Sequence, residues 1–228
     1  MGRLSIVIPT FNAAGGLART IASLYDFNAL DLIHEVVVAD GGSTDETQII
    51  VEETGARLIA VERGRGSQLA AGAEAARGAW LLFLHADTAL EAGWHKVVGD
   101  FIAAGANRER AGYFRFALED GVVAARRLER IVAWRCRMLG LPYGDQGLLI
   151  SHTLYDRVGG YRPLPLMEDV DLARRLGRRR LVALGHRAVT SAKRYREEGY
   201  MLRPARNLLC LALYYLGLPP RAIQRLYG

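Results

Sequence analysis

The first ninety residues alternate short apolar runs with longer segments that repeat apolar positions at the spacing of a helix. The apolar runs contain almost no polar positions, which is typical of strands in a parallel sheet covered by helices on both faces. The predicted order is strand 4–9, helix 14–25, strand 35–39, helix 44–54, strand 57–61, helix 67–77 and strand 80–84. We therefore expect an α/β fold with a mostly parallel sheet.

The second half of the chain has a less regular pattern. It predicts a strand over 112–118, a basic amphipathic helix over 122–139, a short strand over 148–150 and a helix that opens at Met167. Because no linker or low-complexity stretch interrupts the sequence, we expect a single domain over 1–228.

Composition and charge narrow the classes of partner. Half of the residues are hydrophobic and 24% are charged, which excludes a disordered chain. The formal net charge of +6 favours an anionic partner, namely a nucleic acid, a nucleotide or an acidic membrane surface. The arginines between 126 and 137 are expected on a solvated helix face. The basic residues do not show the aromatic-interleaved platform that single-stranded nucleic acid requires, so we expect no nucleic acid partner.

The apolar segment 207–218 near the end of the chain is too short to span a bilayer. We expect it to pack on the core. The alternative is a helix that lies in an anionic membrane interface, with Arg203, Arg206 and Arg221 on the lipid head groups.

The cysteines and the start of the chain bear on location. Cys136 and Cys210 indicate neither a disulfide framework nor a zinc site. The apolar stretch that ends at Pro9 is too short for a signal peptide. These features predict a cytoplasmic protein, with any peripheral membrane contact at the inner face of the plasma membrane.

Polar residues that follow the strands are the first candidates for chemistry, because ligands of parallel sheets bind outside the carboxyl ends of the strands. Asp40 ends a buried strand and precedes two glycines. Its carboxylate can accept hydrogen bonds from a pyrimidine imide or from ribose hydroxyls, or it can fix the turn. Ser43 and Glu46 have the spacing of a capping box, which predicts that Ser43 caps a helix beginning at Thr44.

His85 and Asp87 follow the strand 80–84, and strand alternation places their side chains on the same side. Asp87 can bind Mg²⁺ or Mn²⁺, and His85 either joins it as a ligand, which Mn²⁺ tolerates better, or hydrogen-bonds a loop. Arg65 stands in a glycine-rich turn before a helix, where it can contact a base or a phosphate. That turn is not a dinucleotide fingerprint, because Leu69 occupies the place of the third glycine.

Glu168 and Asp169 lie in the first turn of a predicted helix. Acidic residues there interact favourably with the helix dipole. Two adjacent carboxylates beside a cleft also raise the proton affinity of one of them, as a general base requires. The residues alone leave both interpretations open.

The order and spacing of several segments are more specific than any one of them. Segments 6–12, 38–45, 83–88 and 167–169 resemble those of family 2 glycosyltransferases of the GT-A fold. Segments 64–68, 84–88, 143–147, 166–170 and 190–194 more narrowly resemble a bacterial subgroup of the arsenosugar-biosynthesis type. We therefore expect the domain to consist of a nucleotide-binding half over 1–90, an acceptor-side half over 91–200 and a helical tail over 201–228.

This resemblance implies that a sugar moves with inversion from a nucleoside-diphosphate-sugar donor to an acceptor hydroxyl on a small molecule, a lipid-linked molecule or a glycan, assisted by Mn²⁺ or Mg²⁺. Asp169 matches the general base and Glu168 is its partner in the acidic pair. Asp87 matches the last acid of the Asp-x-Asp metal motif, and His85 replaces the first acid. The residues expected to bind the nucleotide sugar are Pro9, Thr10, Asn12, Asp40, Arg65, Gln68, Asp87, Asp145 and Arg194.

Two other functions stay open. One is a nucleotidyltransferase on a related sheet, although the glycine-rich loop with a phosphate-binding lysine is not visible near the N-terminus. The other is a catalytically silent nucleotide-sugar-binding protein, which the replacement of an acid by His85 invites.

Overall fold

The computed structural model describes residues 3–25 and 29–227. Every strand and helix predicted above is present, with its ends within three residues of the expected positions. The first half contains β1 (Leu4–Thr10), α1 (Ala14–Ala22), β2 (Ile33–Asp40), α2 (Thr47–Thr54), β3 (Arg57–Ala60), α3 (Arg65–Ala75), β4 (Trp80–Phe83) and β5 (Thr88–Leu90). The rest contains α4 (Trp94–Ala103), β6 (Ala111–Leu118), α5 (Val123–Leu139), β7 (Leu148–Ser151), α6 (His152–Arg157), α7 (Glu168–Leu176), β8 (Leu181–Thr190), α8 (Lys193–Glu198), α9 (Leu202–Tyr215) and α10 (Pro220–Tyr227).

One eight-stranded sheet runs through both halves in the order β3-β2-β1-β4-β7-β6-β8-β5. The block β3-β2-β1-β4 is parallel, and β6 and β8 are parallel to each other. β7 runs antiparallel to β4 and β6, and β5 runs antiparallel to β8. The α/β fold with a mostly parallel sheet is therefore confirmed. The carboxyl ends of β1, β2 and β4 lie along one edge, where the candidate residues were expected.

The unbroken apolar runs are explained by helices on both faces of the sheet. Ile6 and Ile8 of β1 pack with α1, α2 and α4, whereas Val7 points to the opposite face and packs with α3, α6 and α7. Helix α3 approaches β1 closely at Gly72, where a Cβ would lie 2.3 Å from Cγ1 of Val7. A glycine is needed there, because a larger residue would push the helix and the loop before it away from the sheet.

The predicted capping box is wrong. Helix α2 begins at Thr47, and its N-cap, Glu46, makes no side-chain cap hydrogen bond. The Ser43 hydroxyl instead donates to the Asp40 carboxylate. The Ser43 oxygen accepts from the Asn12 N–H at 2.8 Å, so it binds the loop after β1 and not the start of α2. Asp45 accepts from the Thr47 N–H at 3.0 Å and takes the place expected of Ser43.

The tail folds into α9 and α10, and one side of α9 packs on the core. Cys210 and Leu211 are buried against Leu141 and Val170. Within the described ranges, no helix is both long enough and apolar enough to cross a membrane.

Candidate active site

An open cleft lies beyond the ends of β4 and β8, beside the start of α7. It gathers residues from distant parts of the sequence. The predicted residues that line it are Arg65, His85, Asp87, Asp145, Glu168, Asp169 and Arg194. The arrangement combines carboxylates with two arginines, so it can accommodate an anion and a proton acceptor together.

Asp87 is held by the end of β8. The Ser191 N–H donates to the Asp87 carbonyl at 3.1 Å, and the Thr190 hydroxyl lies 3.5 Å from the Asp87 carboxylate. Thr190 and Thr88 hydroxyls meet at 2.8 Å in a buried contact. These contacts fix the backbone at Asp87 while its carboxylate, at 3.5 Å from the nearest hydroxyls, retains capacity to accept further ligands.

His85 contacts Gly144 in the loop before β7. Burial, together with the nearby Arg65 cation, lowers the pKa of the His85 imidazole to about 4. A Cβ on Gly144 would lie 2.3 Å from Nε2 of His85, so only glycine allows this approach. The imidazole is therefore neutral at physiological pH, the form that can bind a metal ion.

Asp169 is oriented by backbone groups at the start of α7. Its Oδ1 accepts from the Val170 N–H at 2.7 Å and its Oδ2 accepts from the Gly144 N–H at 2.9 Å. The preceding Met167 has a φ of +66°, an uncommon conformation for a residue with a side chain. This turn directs the acidic pair into the cleft, and the two hydrogen bonds fix the Asp169 carboxylate.

Glu168 occupies a different environment from its neighbour. It is 1% exposed, its Oε1 lies 3.5 Å from Nη1 of Arg65, and its Oε2 is buried without a hydrogen-bond partner. Burial raises the pKa of Glu168 to about 7, and the Asp169 charge adds to the rise that Arg65 opposes. The raised proton affinity expected for the acidic pair thus resides on Glu168.

Asp145 adds a third carboxylate from the 3₁₀ turn Gly144–Gln146. Its Oδ1 is buried and has no hydrogen-bond partner. Burial raises the pKa of Asp145 to about 6, against the opposing effect of Arg135. An unpartnered polar atom at a cleft wall is well placed to bind a hydroxyl.

A second group of predicted residues stands beside the cleft and forms a closed hydrogen-bond network. The Asp40 carboxylate accepts from the Thr10 hydroxyl at 2.8 Å and from the Gly42 and Ser43 N–H groups. Burial raises the pKa of Asp40, but these hydrogen bonds outweigh burial and lower it. Asp40 therefore fixes its own turn, and it is not among the described residues that line the cleft. That Asp40 and Thr10 contact a nucleoside stays a prediction.

Gln68 and Asn12 connect the loops of that network. The Gln68 amide donates to the carbonyls of Thr10 at 2.6 Å and Ala39 at 2.8 Å, which ties the ends of β1 and β2 to α3. Asn12, at a φ of +48°, accepts from the Thr44 N–H at 2.8 Å. Pro9 is half-buried next to Thr10. Their contact with a nucleotide sugar likewise stays a prediction.

Several residues of the cleft were not predicted from the sequence to belong to it. Helix α9 supplies Arg203 and Asn207, the latter with a buried Oδ1 that lacks a hydrogen-bond partner, and the end of β8 supplies Thr190. Tyr143 stacks under Arg135, whose guanidinium carbon lies 3.4 Å from the ring centroid. The arginines that flank segment 207–218 were a signal for this wall, but they were considered only for the alternative in which that segment contacts a membrane.

Asp87 and His85 fit a divalent cation that takes its remaining ligands from a phosphate and from water. No group of three or more His, Cys, Asp and Glu side chains able to hold a metal occurs in the ranges that the structure covers. Asp87 offers a carboxylate and His85 a neutral imidazole. Mg²⁺ and Mn²⁺ sites of this kind use one or two protein ligands and complete their shell with substrate phosphate and water.

Comparisons with known proteins agree with this geometry. The model of the family described as Glycosyl transferase family 2 matches residues 5–134. PGL/p-HBAD biosynthesis glycosyltransferases of Mycobacterium tuberculosis and Mycobacterium bovis are 40% identical to the chain over 93 residues, which is 38% of this chain and 36% of theirs. The chain thus matches about a third of the length of these curated relatives.

Solved structures share the fold at low identity. S. aureus TarS (1–349) has a TM-score of 0.63 and 16% identity, and the match covers 100% of this chain and 69% of that one. Glucosyl-3-phosphoglycerate synthase of Mycobacterium tuberculosis, in complex with Mn²⁺, UDP and glucosyl-3-phosphoglycerate, has a TM-score of 0.60 and 21% identity over 96% and 81% of the two chains. These likenesses confirm the predicted GT-A fold.

Proposed function

Because the chain belongs to glycosyl transferase family 2, we propose that it is an inverting, metal-assisted enzyme that moves a sugar from a nucleoside-diphosphate-sugar donor to an acceptor hydroxyl. The observation that carries the proposal is the meeting of Asp87 and Asp169 in one cleft with Arg65 and Arg194. The cleft thus offers a candidate base and positive charge for a diphosphate at the same place.

In the proposed mechanism, Asp169 is the general base. The acceptor hydroxyl attacks the anomeric carbon while its proton passes to the Asp169 carboxylate, and the bond from that carbon to the diphosphate breaks with its electron pair on the diphosphate oxygen. Attack opposite to the leaving group inverts the anomeric centre. The hydrogen bonds from Gly144 and Val170 support this role, because they orient the carboxylate and leave lone pairs for the incoming proton.

The leaving diphosphate needs positive charge. Arg65 and Arg194 line the cleft and provide it, and Asp87 with His85 would hold the divalent cation, which would neutralise charge on the leaving group when bound. Mn²⁺ together with UDP in the structure of the mycobacterial synthase, and UDP in a structure of TarS, support this assignment. We assign the nucleoside end to Pro9, Thr10, Asn12, Asp40 and Gln68.

The acceptor is assigned to the other wall of the cleft. Asp145 and Asn207 each present an unpartnered oxygen there, suited to accept hydrogen bonds from hydroxyls. Membership of the arsenosugar-type subgroup and a cytoplasmic location stay proposals; both cysteines are free and buried, which suits a reducing compartment.

Membrane contact through 207–218 also stays a proposal. Leu208, Leu209 and Leu216 are exposed, which supports it. Arg203 and Arg206, expected on lipid head groups, both form ion pairs with Glu198 instead.

The deciding experiment compares Asp169→Asn with a matched variant, Asp156→Asn, at an exposed aspartate of α6. Purified protein is incubated with a panel of nucleotide sugars, Mn²⁺ and cell-extract acceptors, and products are identified by mass spectrometry and anomeric NMR. Asp169→Asn should keep nucleotide affinity and lose about 100-fold or more in turnover, the usual contribution of a general base. Asp156→Asn should behave as the wild type.

Three results would contradict the proposal. Full turnover in Asp169→Asn would exclude Asp169 as the general base. A product that retains the anomeric configuration would exclude the inverting mechanism. Release of pyrophosphate from a nucleoside triphosphate, without sugar transfer, would indicate a nucleotidyltransferase.

A further inference from the structure

Helix α5 has a buried side and an outer side of very different composition. Ala125, Leu128, Val132 and Cys136 pack on Tyr113 and Phe116 of β6. The outer side follows helical spacing along the whole helix, and all its members are exposed. We call it the α5 outer face; it consists of Val123, Arg127, Arg130, Ile131, Trp134, Arg137 and Met138.

The apolar members of this face are large and largely accessible. Ile131 is 62% exposed and Trp134 is 59% exposed, with Val123 and Met138 on the same side. Contiguous exposed apolar groups of this size on a folded surface mark contact sites. The bulk of the Trp134 indole has no cover within the described residues.

The charged members of the face are all cationic. Glu129, the nearest carboxylate of the helix, is turned away, because it accepts from the Leu118 N–H at 2.9 Å and from Arg126 at 2.7 Å. Arg135 points to the other side, where it donates to the Leu141 carbonyl at 3.0 Å. The α5 outer face therefore combines three arginines and four apolar side chains without an acidic group.

We infer that the α5 outer face binds the surface of an anionic lipid bilayer, with Trp134, Ile131 and Met138 in the interface and Arg127, Arg130 and Arg137 on lipid phosphates. A basic amphipathic helix with tryptophan on its apolar stripe is suited to lie in the plane of such an interface. The arginine stems reach along the helix and place their guanidinium groups at head-group level.

Two other occupants fit this surface less well. A second copy of the chain in a symmetric contact would bring the arginines of both copies together without a carboxylate on the face to pair with them. A nucleic acid would use the cations and could stack a base on Trp134, but it would leave Ile131, Met138 and Val123 in water, because none of these three offers a ring for stacking. In an anionic bilayer, the head-group phosphates match the arginines of the face and the acyl region matches its apolar side chains.

This surface is separate from the exposed leucines of α9 and from the cleft. The outward side of α9 carries Leu202, Leu208, Leu209 and Tyr215 and no charge, so its binding would not depend on lipid charge. The α5 outer face predicts dependence on anionic lipid. Each arginine near an anionic membrane surface raises the vesicle partition coefficient about five-fold. Loss of the three arginines should therefore lower this coefficient about 100-fold.

The tryptophans of the chain provide a site-specific probe. Of the three, Trp80 is 4% and Trp94 0% exposed, so Trp134 is the tryptophan whose surroundings change on surface contact. The full-length protein is titrated with vesicles of phosphatidylcholine alone or mixed with phosphatidylglycerol, and emission is followed with and without brominated lipid. We expect a blue shift and bromine quenching with the anionic vesicles only, weakened by salt.

The matched variants carry the same change of charge at different places. Arg127→Gln/Arg130→Gln/Arg137→Gln should lose the blue shift and the sedimentation with vesicles, whereas Arg108→Gln/Arg110→Gln/Arg179→Gln, at exposed arginines elsewhere, should keep both. Circular dichroism checks that both variants fold.

The other outcomes overturn the inference. Equal loss of binding in both variants would show that vesicle binding depends only on the net charge of the protein. Vesicle binding without a change in emission would show that another surface binds the bilayer. An emission shift that follows protein concentration without vesicles would indicate self-association, and one that follows an oligonucleotide would indicate nucleic acid.

Discussion

The buried carboxyl group of Glu168 makes the stability of the fold depend on pH. Its Oε2 is buried without a partner and Arg65 lies 3.5 Å from Oε1. The substitution Glu168→Gln keeps the shape of the side chain and removes its charge at every pH. Comparison of the two proteins therefore isolates the cost of ionising this one group.

The sign and size follow from proton linkage. Because burial raises the pKa of Glu168 from 4.5 to about 7, the folded state binds the proton more tightly than the unfolded state between these values. Stability from this group is fully present below pH 4.5 and falls as the pH rises through 7. Between pH 5 and pH 8, the loss amounts to about 2 kcal/mol of unfolding free energy.

The assay is urea unfolding of the metal-free protein across this pH range, followed by circular dichroism. The free energy of unfolding of the wild type should fall by about 2 kcal/mol relative to that of Glu168→Gln as the pH rises from 5 to 8. Glu74→Gln, at an exposed glutamate of α3, is the control and should run parallel to the wild type. Parallel curves for wild type and Glu168→Gln would refute the reasoning, because they would mean that Glu168 titrates alike in both states.

Two glycines give further predictions. Gly66→Ala places a Cβ 2.2 Å from the Arg162 carbonyl oxygen and should cost about 1–3 kcal/mol in urea unfolding, whereas Gly99→Ala, in α4 with no atom within 4 Å, should be neutral or add about 0.5–1 kcal/mol; equal values would argue against tight packing at Gly66. Gly144→Ala places a Cβ 2.3 Å from Nε2 of His85 and should weaken Mn²⁺ binding in the presence of UDP about 10-fold by calorimetry. Unchanged affinity in a folded variant would show that His85 does not bind the metal.

The sequence was sufficient for the elements whose pattern is local. β1 and β4 are buried on both faces, so their apolar runs are visible without tertiary information. β5 has only three residues and exists because Thr88–Leu90 pair with the end of β8. β8 itself is half-exposed, contains Gly185 at a φ of +83° and pairs irregularly with β6, which removes a clear alternation.

The candidate site was predictable where strand ends determine it. Asp87 could be placed at a crevice because it follows β4, and Asp169 because its acidic pair opens a helix. The sequence allowed two roles for Asp40, to bind a nucleoside or to fix its own turn. Its hydrogen bonds to the turn depend on the backbone conformation of the residues that follow, which the sequence did not determine. Thr190 and Asn207 carried no local signal, because their place in the cleft comes from long-range packing.

The buried contact between the hydroxyls of Thr88 and Thr190 has a consequence for the order in which the protein matures during translation. The short strand that follows Asp87 has its pairing partner about a hundred positions later, in β8. A nascent chain that has emerged only as far as β7 contains β1 to β4, but its Asp87 loop has no strand to dock on. The Asp87 side of the cleft is therefore completed late, when β8 leaves the ribosome and pairs with β5 and β6.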